Sequence, residues 1–213
     1  DFTKLFREEG ENGKESIWEI QAYIGPNGTD NYYSWYGIAQ GVRGSGEWDL
    51  GRGWNTPTQT LVDAYPAGDI RKDATILYSG QSDGYYGRTV PGSVFDVPAG
   101  PLPRKFWNKK VYPEPAMQTQ TGERQAGWVN QRQLRYADVL LMAAEAANEI
   151  GGAGNQALAV GYINQIRSRA GLANVSFSTQ AAFRTVIKTE RRLELAMEGE
   201  RFFDLVRWND ALT

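Results

Sequence analysis

The chain has 213 residues, 41% hydrophobic and 23% charged, with a formal net charge of −2. That is the composition of a globular protein, and its balance gives nucleic acid or an anionic surface no electrostatic handle. It has no Cys and no His, which excludes disulfide and thiol chemistry, the commonest transition-metal ligand and the commonest general base.

In the first 130 residues Gly, Pro, Asn and Asp recur every few positions, and no long segment keeps a helical period. Residues 1–6 read as the end of a helix. Residues 16–24 (SIWEIQAYI) alternate as a short strand does. Tyr32, Tyr33, Trp35 and Tyr36 then crowd into a turn-flanked run, and Trp48 and Trp54 follow inside GEWDLGRGWNTPTQ. Residues 58–65 predict a short helix capped near Thr56, with Pro57 at its first position. Residues 70–78 read as extended. Tyr85 and Tyr86 lie in a second Gly-flanked loop, VPGSVFDVPAGPLP is Pro-rich coil, and KFWNKKVY (105–112) alternates as a strand.

From Gln133 the period changes. Leu134, Ala137, Leu141, Ala144 and Asn148 fall three and four apart, giving a helix with a small-residue face. Gly151, Gly152 and Gly154 end it, Asn155 caps a second helix running to about Arg169, and Gly171 stops that one. Ser178 or Thr179 caps a third, with Phe183, Val186, Ile187, Leu193 and Met197 on its buried side; a fourth starts near Glu200. The expected fold is mainly α: tetratricopeptide-like helix pairs (an α/α superhelix) over 132–213. Residues 1–131 form a long irregular, loop-rich insertion with a few short strands, all within a single domain.

Residues 190–208 read ERRLELAMEGERFFDLVRW. Glu190, Arg191, Glu194, Glu198 and Arg201 recur at helical spacing, so opposite charges can meet on one face, and Gly199 offers a left-handed helix end. The Phe and Trp around Asp204 and Arg207 predict that these charges are partly enclosed between two helices in a structural network. The pattern ER-x-x-EL-x-x-EG-x-R-x-x-DL-x-RW resembles the C-terminal half of the SusD/RagB family, the glycan-capturing surface lipoproteins of Bacteroidetes-type bacteria. So do LRYADVLLMAAEAANEIG (134–151), INQIRSRAGL (163–172), ESIWEIQ (15–21) and the D-x-R of Asp69 and Arg71. The resemblance implies a longer protein, with a signal peptide and lipid-bearing Cys ahead of this region. It also implies an outer-membrane, surface-exposed location and delivery of oligosaccharide to a SusC-like TonB-dependent transporter. Membrane attachment would come only through the lipid anchor outside this chain.

Aromatic faces set in Gly-flanked loops suit a pyranose ring, whose axial C–H bonds meet the negative face of the π-system. Tyr32, Tyr33, Trp35, Tyr36, Trp48, Arg52 and Trp54 are the candidate ligand-binding residues. Asp30, Asn31, Gln40, Arg43 and Asn55 are available for the sugar hydroxyls. Trp18, Trp107, Trp128 and Trp208 are expected in the core. Gly51–Trp54 lacks the Gly-Lys-Ser/Thr ending of a phosphate loop, no EF-hand spacing appears, and no cofactor or metal is called for. The clustered acids have Arg partners that keep them ionised and poor as general acids, so no catalytic residue is assigned. A helical-repeat scaffold for a protein partner and a helical glycoside hydrolase remain the alternative readings.

Overall fold

A computed structural model describes residues 2–25, 31–44, 46–80, 82–90, 106–123, 125 and 127–211. Its helices and strands in chain order are α1 (Phe2–Leu5), β1 (Ser16–Ile20), α2 (Trp35–Gln40), α3 (Gln59–Ala64), α4 (Ile70–Thr75), β2 (Ile76–Tyr78), β3 (Phe106–Asn108), α5 (Pro115–Thr121), β4 (Gln131–Arg135), α6 (Tyr136–Ile150), α7 (Ala153–Arg169), α8 (Gln180–Glu194) and α9 (Arg201–Arg207). The protein is mainly helical with a few short strands, as the residue periods predict.

The periodic face of α6 buries Leu140, Leu141, Ala144 and Ala147 against Ala159, Ile163 and Ile166 of α7 and Phe183 and Ile187 of α8. Alanines on α6 let α7 approach closely. Thr179 caps α8 by accepting from the Ala182 amide. Asn155 does not cap α7; Gly152 holds that position, and the Asn155 amide donates to the Gly151 carbonyl at 2.8 Å.

Four predicted boundaries move, each for a tertiary or capping reason. Residues 131–135 form β4, antiparallel to β1 with Trp18 opposite Leu134, so α6 begins at Tyr136. Residues 70–75 are helical because the Asp69 side chain accepts from the Arg71 amide at 3.0 Å and caps α4. The chain is extended only over β2, which pairs with β3. The cap of α3 is Thr58, which accepts from Leu61. The predicted strand over 105–112 shortens to β3 and then turns, because the Asn108 side chain caps a single 3-10 turn at Lys109–Val111; Lys105 lies outside the described residues. Asp30 and the Pro-rich coil over 91–103 also lie outside them.

Trp107 and Trp128 are buried and Trp208 half-buried, but Trp18 is 61% exposed. Irregular register on both sides of Trp18 turns Glu19 inward, where it accepts from Asn130 Nδ2 at 2.9 Å. The inward position on β1 is thus polar, and the indole is left outside.

The charges of α8 are enclosed, yet they pair with distant elements rather than with one another. Arg71 grips Asp69 through Nε and Nη2 (2.9 and 2.7 Å) and reaches Glu190 with Nη1 (2.9 Å). Glu194 accepts from Arg135 (3.0 Å) and Arg169 (2.5 Å), while Glu198 accepts from Lys110 (2.5 Å) and Arg135 (2.7 Å). Arg191 joins Asp138 of α6 (2.6 Å) to Asp204 of α9 (3.0 Å). Arg201, expected in this network, is exposed and meets no carboxylate among the described residues. Arg207, expected to be enclosed with Asp204, is exposed as well, because Phe202 and Phe203 face water instead of covering it. The network also stops α8 early. Lys110 Nζ and Arg135 Nη2 donate to the Glu194 carbonyl oxygen, at 2.9 and 3.2 Å, where the helical ladder would continue. Met197 (φ 68°) then turns the chain ahead of Gly199 (φ 99°).

Burial alone would raise the Glu194 carboxyl, but Arg135, then Arg169 and Arg71, outweigh it and hold it at about 2. A carboxyl held below its unfolded value contributes stability that is full above about 4.5 and is lost as pH falls toward about 2. Glu194→Gln takes one buried carboxylate partner from each of Arg71, Arg135 and Arg169, which keep Asp69 and Glu190, Glu198, and Glu15 respectively. It is expected to cost about 3 kcal/mol at pH 7. Urea denaturation should show the gap between the two proteins narrowing as pH drops from 5 to 2.

Candidate functional site

The aromatic run is split between outside and inside. Tyr32 and Trp35 are 71% and 70% exposed and Tyr33 is exposed, while Tyr36 is half-buried. Tyr32 exchanges both backbone bonds with Tyr23 (2.9 and 2.7 Å), so the two side chains leave the ladder on the same side. Tyr23 is itself exposed. The alternation of residues 16–24 could have flagged it only by parity, and the irregular register of β1 spoils that signal.

Tyr33 is held by its surroundings. Its hydroxyl receives Asn31 Nδ2 at 2.9 Å and faces Glu123 at 3.4 Å, and its ring lies across Gly127. A Cβ on Gly127 would fall 2.6 Å from Tyr33 Cδ1. The Ser34 amide donates to the Gly127 carbonyl (2.7 Å), fixing the start of α2. Tyr36 turns inward and donates to the Met197 carbonyl at 2.9 Å. Burial, then the nearby Glu198, pushes its phenol well above the usual range, so it remains a neutral donor.

The second segment lies along the end of α2. The amides of Arg52, Gly53 and Trp54 donate to Ile38, Gly41 and Ala39 (2.8, 2.9 and 2.9 Å). Such close backbone approach requires glycine: a Cβ on Gly51 would stand 2.5 Å from the Ile38 oxygen and 2.7 Å from Gly41 Cα. The end of α2 and residues 51–54 therefore lie against each other, and Tyr32, Tyr33, Trp35, Arg52 and Trp54 (62% exposed) are exposed on these two segments.

Trp48 does not join this face. It is only 3% exposed, stacks on Tyr112 (centroids 6.1 Å apart, planes at 6°), and carries the Arg88 guanidinium 4.3 Å from its ring centre. It is buried in a core with Val42, Leu50, Leu77 and Trp107, because the loop-rich half has few layers and fills its interior with rings. Gln40 is likewise spent internally: its oxygen accepts from Asn55 Nδ2 (2.8 Å) and Asn108 Nδ2 (2.9 Å). Tyr86 donates to Glu8 (2.9 Å) and packs edge-on against Tyr85. Exposed Arg43 and Arg52 remain as polar groups near the rings.

The two joined segments thus carry exposed rings and exposed guanidinium groups. The acids Glu190, Glu194 and Glu198 lie within the buried network instead. No group of three acidic residues among those described converges as a metal site, and no described helix is long and apolar enough to cross a membrane.

The sequence profile of the SusD family matches residues 14–213. The chain belongs to the SusD family. SusD-like protein P2 of Formosa agariphila is 29% identical over 219 residues, covering 97% of this chain and 42% of that protein. SusD-like protein P25 of the same organism is 32% identical over 175 residues, covering 80% and 29%. Among solved structures, surface glycan-binding protein A from Bacteroides uniformis superimposes with a TM-score of 0.69 at 28% identity, over 99% of this chain and 41% of that one. A SusD-like protein from Bacteroides fragilis gives 0.71 at 26%, over 98% and 46%. This SusD-family chain thus spans less than half the length of the relatives it matches.

In this SusD-family chain Gly51→Ala forces backbone against backbone and is expected to destabilise by about 2 kcal/mol or more. Gly161→Ala, in α7 with open space around it, should stabilise by about 0.5–1 kcal/mol. Chemical denaturation midpoints moving in opposite directions would confirm both.

Proposed function

We propose that the protein is a non-catalytic binder of oligosaccharide at the bacterial cell surface, holding glycan for delivery to a SusC-like TonB-dependent transporter. The observation that carries this reading is the exposure of Tyr32, Trp35 and Trp54 on segments whose backbones are held, Tyr32 by Tyr23 and Trp54 by the end of α2. Flat rings of this kind receive the C–H face of a sugar, and Arg52 is available to its hydroxyls. Membership of the SusD family supports the reading, as does likeness to a protein named for surface glycan binding in Bacteroides uniformis. Outer-membrane attachment through a lipid anchor outside this chain belongs to the same proposal.

Binding here is a matter of preformed geometry. Little loop ordering is needed on contact, since α2 and the crossing at Gly51 hold the backbones of Trp35 and Trp54 in place. Isothermal titration of the full-length protein against plant, host and microbial glycans tests the proposal. Trp35→Ala is expected to weaken the best ligand by about 2 kcal/mol, roughly 30-fold, without changing the melting temperature. Trp48→Ala should instead lower stability by about 3–5 kcal/mol. Absence of binding across the panel, or Trp35→Ala binding as tightly as the parent, would count against the assignment.

A further inference from the structure

Immediately after Trp54 the surface enters a groove of about 600 Å3. Asn55, Thr58, Leu61, Arg192, Arg201 and Phe202 are among the residues that line it. Of the guanidinium groups in the helical part, Arg167, Arg169, Arg184, Arg191 and Arg207 each meet a carboxylate. Arg192 and Arg201 do not, among the described residues. Arg192 donates to the Thr60 carbonyl at 3.1 Å, its one side-chain bond among the described residues. Asp210, which also lines the groove, is engaged by Lys188 at 2.7 Å.

Two like charges thus face one concavity whose other walls are largely apolar. Partial burial and then the neighbouring Arg192 press the Arg201 guanidinium downward from its usual range, and the carboxylates of Asp204 and Asp210 offset them only in part. A single oxyanion between them would relieve that repulsion and accept charge-assisted bonds from both.

We propose that this groove is a second binding site that takes the carboxylate or sulfate of an acidic sugar, placed by Arg192 and Arg201, with the sugar body against Phe202. The assignment of a sugar as the carrier rests on the glycan-binding reading above; the anion site itself rests on the groove. One chain of sugar residues continuing from Trp54 through Asn55 would then be read twice, by its ring face and by its charge.

The test uses the full-length protein with Phe202→Trp as a reporter, titrated by fluorescence with sodium glucuronate, glucose and sodium sulfate. Calorimetry with trigalacturonate and a neutral trisaccharide accompanies it. Glucuronate should give a saturable response that glucose does not. Arg201→Gln should weaken glucuronate and trigalacturonate about tenfold, with Arg192→Gln acting in the same direction and the melting temperature unchanged. A response to sulfate but not to glucuronate would overturn the sugar assignment and leave an inorganic-anion pocket. No saturable response to either anion, or equal binding by Arg201→Gln, would overturn the site. A glucuronate response that persists when Trp35→Ala leaves neutral glycan binding untouched would sustain the groove while the aromatic reading fails.

Discussion

The buried carboxylate of Glu194 is the point on which the two halves of the molecule meet. Arg71 from α4, Arg135 from the end of β4 and Arg169 from the end of α7 converge on it, and Lys110 takes the carbonyl of the same residue. Hydrophobic packing is tolerant of small sliding, whereas a fully enclosed array of guanidinium and carboxylate groups has one satisfactory arrangement and costs several kcal/mol when a partner is removed. Specific geometry, more than net stabilisation, is what such an array supplies here. It fixes where the irregular first half stands on the helical half, and ends α8 so that the chain can turn toward α9.

The aromatic face inherits its rigidity from this arrangement. Tyr36 donates to Met197, in the turn that the network creates, and so ties α2 to the end of α8. Gln40 bridges Asn55 and Asn108, which ties the second aromatic segment to β3. The exposed rings therefore sit on elements whose inward sides are anchored, the condition under which a loop-borne site keeps its shape. The same logic explains why Trp48 is absent from the face. The loop-rich half needs its own interior, and Trp48, Tyr112 and Trp107 provide it.

Much of the helical part was legible in order: the small-residue face of α6, the Thr179 cap and the enclosure of Glu190, Arg191, Glu194 and Asp204. The partners of those charges were not. Spacing along a helix suggests neighbours on that helix, but Glu190 and Glu194 point away toward Arg71 and Arg135, which are far off in the chain. Arg201 was expected inside the network and stands outside it, lining the groove. Around the candidate site the irregular segments were legible as a class: Gly51 and Gly53 mark a break, and the break is a close crossing against α2.

The sequence by itself determined the helical periods, the Thr179 cap, the family signature and the wealth of aromatic side chains in the first half. Those depend on residues within a few positions of one another, or on an ordered series of motifs. Only the tertiary structure decided which rings face water. Trp18 is outside because Glu19 is drawn to Asn130, Trp48 inside because Tyr112 stacks on it, and Trp54 beside α2 because its amide reaches Ala39. Each choice is made by a contact between segments distant in the chain, and local composition carries no record of it.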